Sequence, residues 1–299
     1  MKRVAAAIGY FDGMHLGHRA VLNDLARIAA KKDLTPIAIT FRSHPLAVID
    51  PARLPASLST VTEKEALVKD TGVNPIILDF NEELRKLTAK EWLMELRHRY
   101  NVEILVMGYD TKFGCDGNLL SIEDYKRLAE ETGIEIRQAP YIEGVSSSAI
   151  RDAISRGKME TAMQLLGRPY SISGTVTEGN HLGRTIGFPT ANISPANGIL
   201  IPENGVYEAL ALLPDGSRHH AMVNIGKRPT IEAGENTVIE AHILHWHGDL
   251  YDRPVTLLFL KRLRNEQKFA SLAELKKQLL IDREIISKSL TLANNSQPI

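Results

Sequence analysis

Between Val4 and Gln138 the chain repeats one pattern, a short apolar run followed by a stretch with helical spacing. The apolar runs are Val4–Ile8, Pro36–Phe41, Pro75–Phe80, Ile104–Met107 and Ile134–Gln138. Between them, His18–Lys31 places Val21, Leu22, Leu25 and Ile28 on one helical face. Ala66–Asp70 predicts a short helix stopping at Thr71-Gly72, and Ile122–Glu131 predicts another. Thr88–Tyr100 opens with Thr88 as N-cap and Glu91 three residues later, a capping box. Strands alternating with helices demand crossover connections, so the pattern predicts a doubly wound parallel sheet with helices on both faces. Such sheets bind ligands at the carboxyl ends of their strands. Gly9–His18, Phe41–Pro45 and Gly108–Gly114 lie at those ends.

Two short helical stretches follow, Ala149–Arg156 and Met159–Leu166, and then the texture changes. From Tyr170 the chain shows short β-type runs broken by glycine and proline: Ile172–Val176, Gly205–Leu213, His220–Ile225, Val238–Leu244 and Val255–Leu260. Asp215-Gly216 between two of them is a hairpin signal. Strands at this spacing predict an antiparallel barrel or sandwich, followed by a final helix, Leu272–Lys288, and a frayed Asn294–Ile299 end. The boundary is expected near Gly157–Gly167, giving domains 1–157 and 158–299.

Lys+Arg and Asp+Glu both number 36, so no global charge draws the chain to nucleic acid or an anionic membrane. The one cysteine, Cys115, excludes an internal disulfide and a cysteine zinc cluster. With no signal peptide before the first strand and no apolar run of membrane-spanning length, a cytoplasmic protein is expected.

Local groups must therefore do any phosphate binding. His15-Leu16-Gly17-His18 stands where the first strand hands over to a helix. The first N–H groups of a helix lack intrahelical partners, and its dipole favours anions. Glycine lets the backbone approach a ligand, and histidine adds donors that change charge near neutral pH. The pattern predicts a bound phosphate, and with it a nucleotide. The pair lacks the intervening glutamate of a metalloprotease helix. Two unrelated surface histidines are the plainer alternative.

The second half carries its own candidates. Gly179, Gly183 and Gly187 recur every four residues with Arg184 between, and no Walker lysine accompanies them. The segment is either a flap whose amides approach ATP or a glycine-rich hairpin. Thr190 and Asn192, in Pro189–Asn192, offer the hard oxygen ligands that suit Mg²⁺. Glu240 falls on the opposite side of its alternating run from Ile239 and Ala241, so it is either a base or an exposed strand carboxylate. His219, His220, His242, His245 and His247 are spaced onto different faces, which predicts packing or surface roles rather than a zinc site.

Taken in order, these segments resemble the bacterial bifunctional riboflavin kinase/FMN adenylyltransferase (FAD synthetase) family. Gly9–His18 is similar to its extended HxGH motif, and Phe41–Pro45 to its FxPHP segment. Gly108–Gly114 resembles its GxDFxFG loop, and Ser146–Arg151 its SSTxIR element. Leu166–Tyr170 resembles the domain junction, and Gly183–Asn192 the kinase signature. The likeness runs from about Val4 to Ser287. It departs at Tyr10, where a small polar residue is expected, and at Ser43, Thr111 and Ser148, which replace proline, phenylalanine and threonine. Tyr10 bears on the width of the nucleotide loop and Thr111 on the flavin-side wall.

The resemblance implies a nucleotidyltransferase-type first domain and a β-barrel kinase domain, with ATP as co-substrate at both and Mg²⁺ as cofactor. It implies that His15 and His18 stabilise charge on the ATP phosphates while FMN attacks, and that Ser147 and Arg151 hold the departing pyrophosphate. Gly9 and Phe11 belong with the ATP site. Asp12 either orients a loop amide, holds a metal-bound water or serves the turn alone. His44, Asp110 and Phe113 fall to the flavin pocket, Asp110 being otherwise a turn residue at a strand end. In the kinase domain it implies that Gly179, Gly183, Arg184 and Gly187 approach ATP, that Thr190 and Asn192 hold metal and nucleotide, and that Glu240 takes the proton from the ribityl hydroxyl. Arg264 either contacts flavin phosphate or solvates the surface. The small-molecule partners implied are riboflavin, FMN, FAD, ATP, ADP and pyrophosphate. Neither nucleic acid nor membrane is expected, and the chain is expected as a monomer or weak homo-oligomer. Two other readings stand beside this one: a riboflavin kinase with a degenerate N-terminal domain, and a flavin- or nucleic-acid-binding barrel without chemistry.

Overall fold

A computed structural model of the protein describes residues 2–179, 182–230 and 234–295. The chain divides into two compact units, Met1–Ser147 and Ser148–Ile299.

The first unit holds five parallel strands: β1 (Val4–Ile8), β2 (Thr35–Phe41), β3 (Asn74–Leu78), β4 (Val102–Met107) and β5 (Glu135–Gln138). Its helices are α1 (Leu16–Lys32), α2 (Leu46–Ile49), α3 (Val61–Lys69), α4 (Glu82–Lys86), α5 (Ala89–Tyr100) and α6 (Ile122–Thr132). The sheet order is β3-β2-β1-β4-β5, so the chain winds outward from β1 on one side and then restarts at β4 on the other. All strand pairs are parallel, which leaves a crevice at the carboxyl ends of β1 and β4.

The all-apolar β1 is explained by cover on both faces. Val4, Ala6 and Ile8 pack with Trp92, Leu93 and Leu96 of α5 and with Tyr125 of α6. Ala5 and Ala7 pack with Val21, Leu22, Leu25 and Ile28 of α1 and Val68 of α3. The predicted capping box at Thr88 and Glu91 is present; Thr60–Glu63 and Ser121–Asp124 form two more. The first of these starts α3 earlier than the apolar spacing alone indicates.

In the second unit, α7 (Ser147–Ser155) and α8 (Met159–Leu166) precede a closed barrel, and the boundary expected after residue 157 falls between them. Gly157 packs close to the side chains of Arg262 and Tyr207 in the barrel. The strands are β6 (Tyr170–Thr177), β7 (Ala191–Pro195), β8 (Gly205–Leu212), β9 (Arg218–Thr230), β10 (Gly234–Ile243) and β11 (Pro254–Arg264), in the order β10-β7-β6-β11-β8-β9. All pairs are antiparallel. A short helix, α9 (Leu182–Thr185), lies within the glycine segment, and α10 (Leu272–Asn295) closes the described chain. The expected frayed end falls mostly outside the described residues.

Two sequence expectations change here. β9 runs on past the expected end at Ile225, as far as Thr230, and pairs along β10. Ala191–Pro195, not expected as a strand, is β7: it supplies the edge that joins β6 to β10 and closes the barrel.

Candidate active sites

In the first unit the residues after β1 form a tight, unusual turn. Phe11 and Met14 have φ of 53° and 42°, and Gly13 has φ of 70°. Left-handed backbone at two large residues is costly and clusters at functional sites. The turn is held from outside. The Asp12 carboxylate accepts Leu58 N–H at 3.0 and 3.1 Å, and Gly13 N–H donates to Ser59 Oγ at 3.1 Å. Asp12 thus receives an amide from outside the turn. Gly9 lies under the Phe11 ring, where a Cβ would come within 3.0 Å of it.

His15 is the N-cap of α1, and its Nδ1 accepts His18 N–H at 3.3 Å. This places the neutral ring's proton on Nε2. The two imidazoles stack, with centroids 3.6 Å apart, and Phe11 packs edge-on against His18 at 5.4 Å. His18 Nδ1 is buried without a hydrogen-bond partner. Burial, followed by the neighbouring His15 and Lys64, pushes the His18 pKa well below its ordinary value, so the ring is neutral at pH 7.

Ser147 Oγ donates to the Asp12 carbonyl at 3.3 Å, which brings the SSTxIR-like element to the same turn. Arg151 lies one helical turn further along α7, in the second unit, and is partly buried. His44 packs edge-on against Tyr10 at 4.6 Å, and its Nδ1 accepts Leu46 N–H. Asp110 is exposed at the end of β4. Phe113 is not at the surface: its ring packs against Tyr125 at 4.7 Å inside the core.

The sequence reading missed Lys64. It lies on α3, is 2% exposed, donates from Nζ to the Phe41 carbonyl at 2.6 Å and sits 4.0 Å from the Tyr10 ring centroid. Burial lowers its pKa to about 8, partly opposed by Asp12. The signal was a lysine at an inward-facing helical position, one turn before the core residue Val68. Tyr10, the departure from the family pattern, is therefore packed between His44 and Lys64.

The barrel site is assembled by register. Glu240 lies directly opposite Asn192 on β7 and opposite Asn224 on β9. Thr177 pairs with Asn192, Asn224 with Val206, and Val206 with Arg264. One row therefore crosses all six strands with four of the polar residues adjacent. Ile239 and Ala241 are buried at the neighbouring positions, so Glu240 faces away from them as its alternation predicts. Asn192 is 8% exposed, and its amide occupies the space a side chain at Gly179 would need. Gly183 is equally constrained: a Cβ there would strike the Phe188 carbonyl, and Phe188 N–H donates to Gly183 O at 2.8 Å. Gly179 thus lies against Asn192 and Gly183 against Phe188, and in the described part of the glycine segment Gly187 takes a φ of 86°. Arg184 and Thr190 are exposed on that segment.

His242 Nδ1–H donates to the Pro189 carbonyl at 2.8 Å, and its ring packs on Phe188 at 5.0 Å. Burial lowers its pKa. It anchors the segment in neutral form. His219 contacts Ser217, and His220 lies 3.5 Å from Glu208. Arg264 is not a solvated surface residue: its guanidinium grips the buried Asp282 of α10 at 2.9–3.1 Å. That bond ties the terminal helix to the barrel, next to the Val206, Met222, Leu244 and Ile286 cluster.

A strand-end histidine pair under a helix start, and a barrel face carrying a carboxylate between two amides beside a glycine segment, make two candidate sites, one in each unit. The family model for FAD synthetase matches residues 1–150, and that for riboflavin kinase matches residues 166–290. The bifunctional riboflavin kinase/FMN adenylyltransferase of Escherichia coli K12 is 37% identical, over 92% of this chain and 89% of that one. The protein of the same description from Bacillus subtilis strain 168 is 34% identical, over 93% and 90%. The chain belongs to the bifunctional riboflavin kinase/FMN adenylyltransferase family. The crystal structure of a macrolide-efflux protein from Streptococcus pneumoniae superposes with a TM-score of 0.87 at 32% identity, covering 96% of this chain and 94% of that one. Among the described residues no helix is long and apolar enough to cross a membrane.

Proposed function

We propose that this chain makes both flavin nucleotides. The barrel phosphorylates riboflavin with ATP to give FMN and ADP. The α/β unit joins AMP from a second ATP to FMN, giving FAD and pyrophosphate. The observation that carries this reading is that each unit holds candidate residues of its own. The stacked His15–His18 pair caps α1 in one, and Glu240 stands in register with Asn192 in the other. This favours two activities over a kinase with a degenerate first domain.

In the adenylyl transfer, an FMN phosphate oxygen bonds to the α-phosphorus of ATP as the bond to the β-phosphate oxygen breaks. Charge builds on the phosphate oxygens, and positioned donors stabilise it. His15 and His18 supply those donors, with the first amides of α1. His18 starts neutral, and the arriving phosphates raise its proton affinity. Ser147 helps hold the departing pyrophosphate, and Gly9, Phe11 and Asp12 shape the turn that receives ATP. His44, Asp110 and the buried Phe113 set the flavin side.

In the kinase, Glu240 accepts the proton of the ribityl 5′-hydroxyl as its oxygen attacks the γ-phosphorus of ATP. Gly179, Gly183 and Gly187 let the backbone come close to the nucleotide, with Arg184 beside them. The side-chain oxygens of Thr190 and Asn192 suit Mg²⁺, which commonly binds through few protein ligands and takes the rest from phosphates and water. Among the described residues no cluster of three His, Cys, Asp or Glu competes for that role. When bound, the ion neutralises charge on the transferred phosphoryl group. Arg264, held by Asp282, keeps α10 seated on the barrel. The reading is of a cytoplasmic monomer or weak homo-oligomer that uses neither nucleic acid nor membrane.

The test is chromatography after incubation with riboflavin, ATP and MgCl₂. FMN and then FAD are expected. Folded protein that yields neither overturns the proposal, and FMN without FAD restores the kinase-only reading.

A further inference from the structure

Tyrosine and tryptophan aside, the buried polar side chains described in the first unit are Asp12, His15, Thr40, Ser59 and Lys64. All five lie in the Gly9–His18 turn or against it. Asp12 and His15 belong to the turn itself. Thr40 Oγ1 donates to the Tyr10 carbonyl at 3.0 Å, Ser59 Oγ accepts Gly13 N–H, and Lys64 Nζ stands 4.0 Å from the Tyr10 ring centroid. Burying a polar group is costly, and burying a charge more so, unless partners compensate. Lys64 is the most demanding of the five, because it carries an ammonium group under the turn.

Its contacts join two strand ends. Nζ donates to the carbonyl of Phe41, the last residue of β2, and faces Tyr10, two residues past the end of β1. The helix that carries it is itself fixed: the Thr60–Glu63 capping box sets the first turn of α3, and Lys64 N–H donates to the Thr60 carbonyl at 2.9 Å. Just before that helix, Leu58 and Ser59 hold Asp12 and Gly13. Residues 58–64 therefore grip the turn at Tyr10, Asp12 and Gly13. Left-handed backbone at Phe11 and Met14 persists only where the surroundings over-determine it. Packing alone does not call for a lysine here, since an apolar side chain of similar length fills the space without a buried charge.

We infer that Lys64 is a positioning residue for adenylyl transfer: it locks the ends of β1 and β2 together beneath the turn, so that His15 and His18 meet the ATP phosphates in one fixed arrangement. This rests on the functional reading above. The ammonium has a second consequence, for the charge of the pair. Burial first, then His15 from the same turn and Lys64 from α3, keep His18 neutral, and Asp12 is the charged group that acts on Lys64 in return. Without the lysine charge, His18 takes up a proton more readily.

The test compares wild-type protein with Lys64→Met, which keeps the length and loses charge and donor, and Lys64→Arg, which keeps both. Urea unfolding checks that the first unit is folded, and Lys64→Gln replaces Lys64→Met if it is not. Adenylyl transfer is measured from added FMN and ATP. Misplacement of the histidine pair predicts a fall in kcat of about 10²-fold in Lys64→Met. KM for FMN and for ATP should stay within about threefold, which separates lost positioning from lost binding. Lys64→Arg should recover most of the kcat. The ring protons of His18, followed by NMR against pH, should titrate at higher pH in Lys64→Met than in wild type, and as in wild type in Lys64→Arg. An unchanged kcat in folded Lys64→Met overturns the inference, as does a rise in KM with kcat kept. A His18 titration indifferent to the lysine charge overturns the electrostatic part. If wild-type protein makes no FAD, the functional reading fails, and the NMR titration still decides whether Lys64 governs His18.

Discussion

The two sites are built in opposite ways. In the α/β unit, Gly9 to His18 is one continuous stretch, and a single turn between β1 and α1 sets the histidine pair. In the barrel, Asn192, Asn224 and Glu240 come from three strands and meet through register. The first site stores strain in left-handed backbone at Phe11 and Met14, and is steadied by Leu58, Ser59 and Lys64 from other elements. The second rests on ordinary strands, and its constraint is the close fit of Gly179 and Gly183 against neighbouring groups. A local site survives small changes elsewhere in the fold and fails when its own turn is altered. A register-built site fails when any strand slips, because a one-residue shift turns every side chain to the other face.

The largest effect should come from the local site. Replacing both His15 and His18 by alanine removes the two donors proposed for the phosphates, and should lower FAD formation by roughly 10³-fold or more. FMN should still accumulate from riboflavin, as read by chromatography. Loss of both products from folded protein would erase the contrast between the sites.

Glu240→Gln is the matching change in the barrel. It keeps shape and removes the proposed base, and should slow riboflavin phosphorylation by about 10²–10⁴-fold. Added FMN should be converted to FAD at the wild-type rate. A kinase that keeps its rate would make Glu240 a plain strand carboxylate.

Lys64 sharpens the comparison through stability. Its pKa in the fold is about 8, against an ordinary 10.5. Between those values the unfolded chain holds a proton that the folded one has released, so stability of the first unit rises with pH across that window. Below about 8 both states are protonated, and the burial cost stands in full. Urea midpoints measured from pH 7 to 10.5 should rise relative to Lys64→Met, which has nothing to titrate there. A constant difference would mean that Lys64 is solvated in the fold.

Much of the fold was legible because its signals are local. The five strands of the parallel sheet, the Thr88–Glu91 cap and the barrel's alternating runs each follow from residues within one element. The histidine pair was legible for the same reason. What escaped depends on distant partners. Lys64 reads as a surface lysine until the fold brings Phe41 and Tyr10 to it. Ala191–Pro195 is short and carries two prolines nearby, so its strand character comes from β6 and β10 on either side. Arg264 offered no hint of Asp282, which lies on the far side of a helix start. Phe113 was legible as an aromatic of the loop, but its burial depended on Tyr125.

The central claim is that two separate sites act in sequence, and mixing the two disabled proteins tests it most directly. His15→Ala/His18→Ala protein and Glu240→Gln protein are combined with riboflavin, ATP and MgCl₂, and FAD is followed by chromatography. Each alone should make little FAD from riboflavin. Together they should make it, because FMN released by one is adenylylated by the other. A mixture that still makes no FAD, although Glu240→Gln converts added FMN and the other protein makes FMN, would contradict the account.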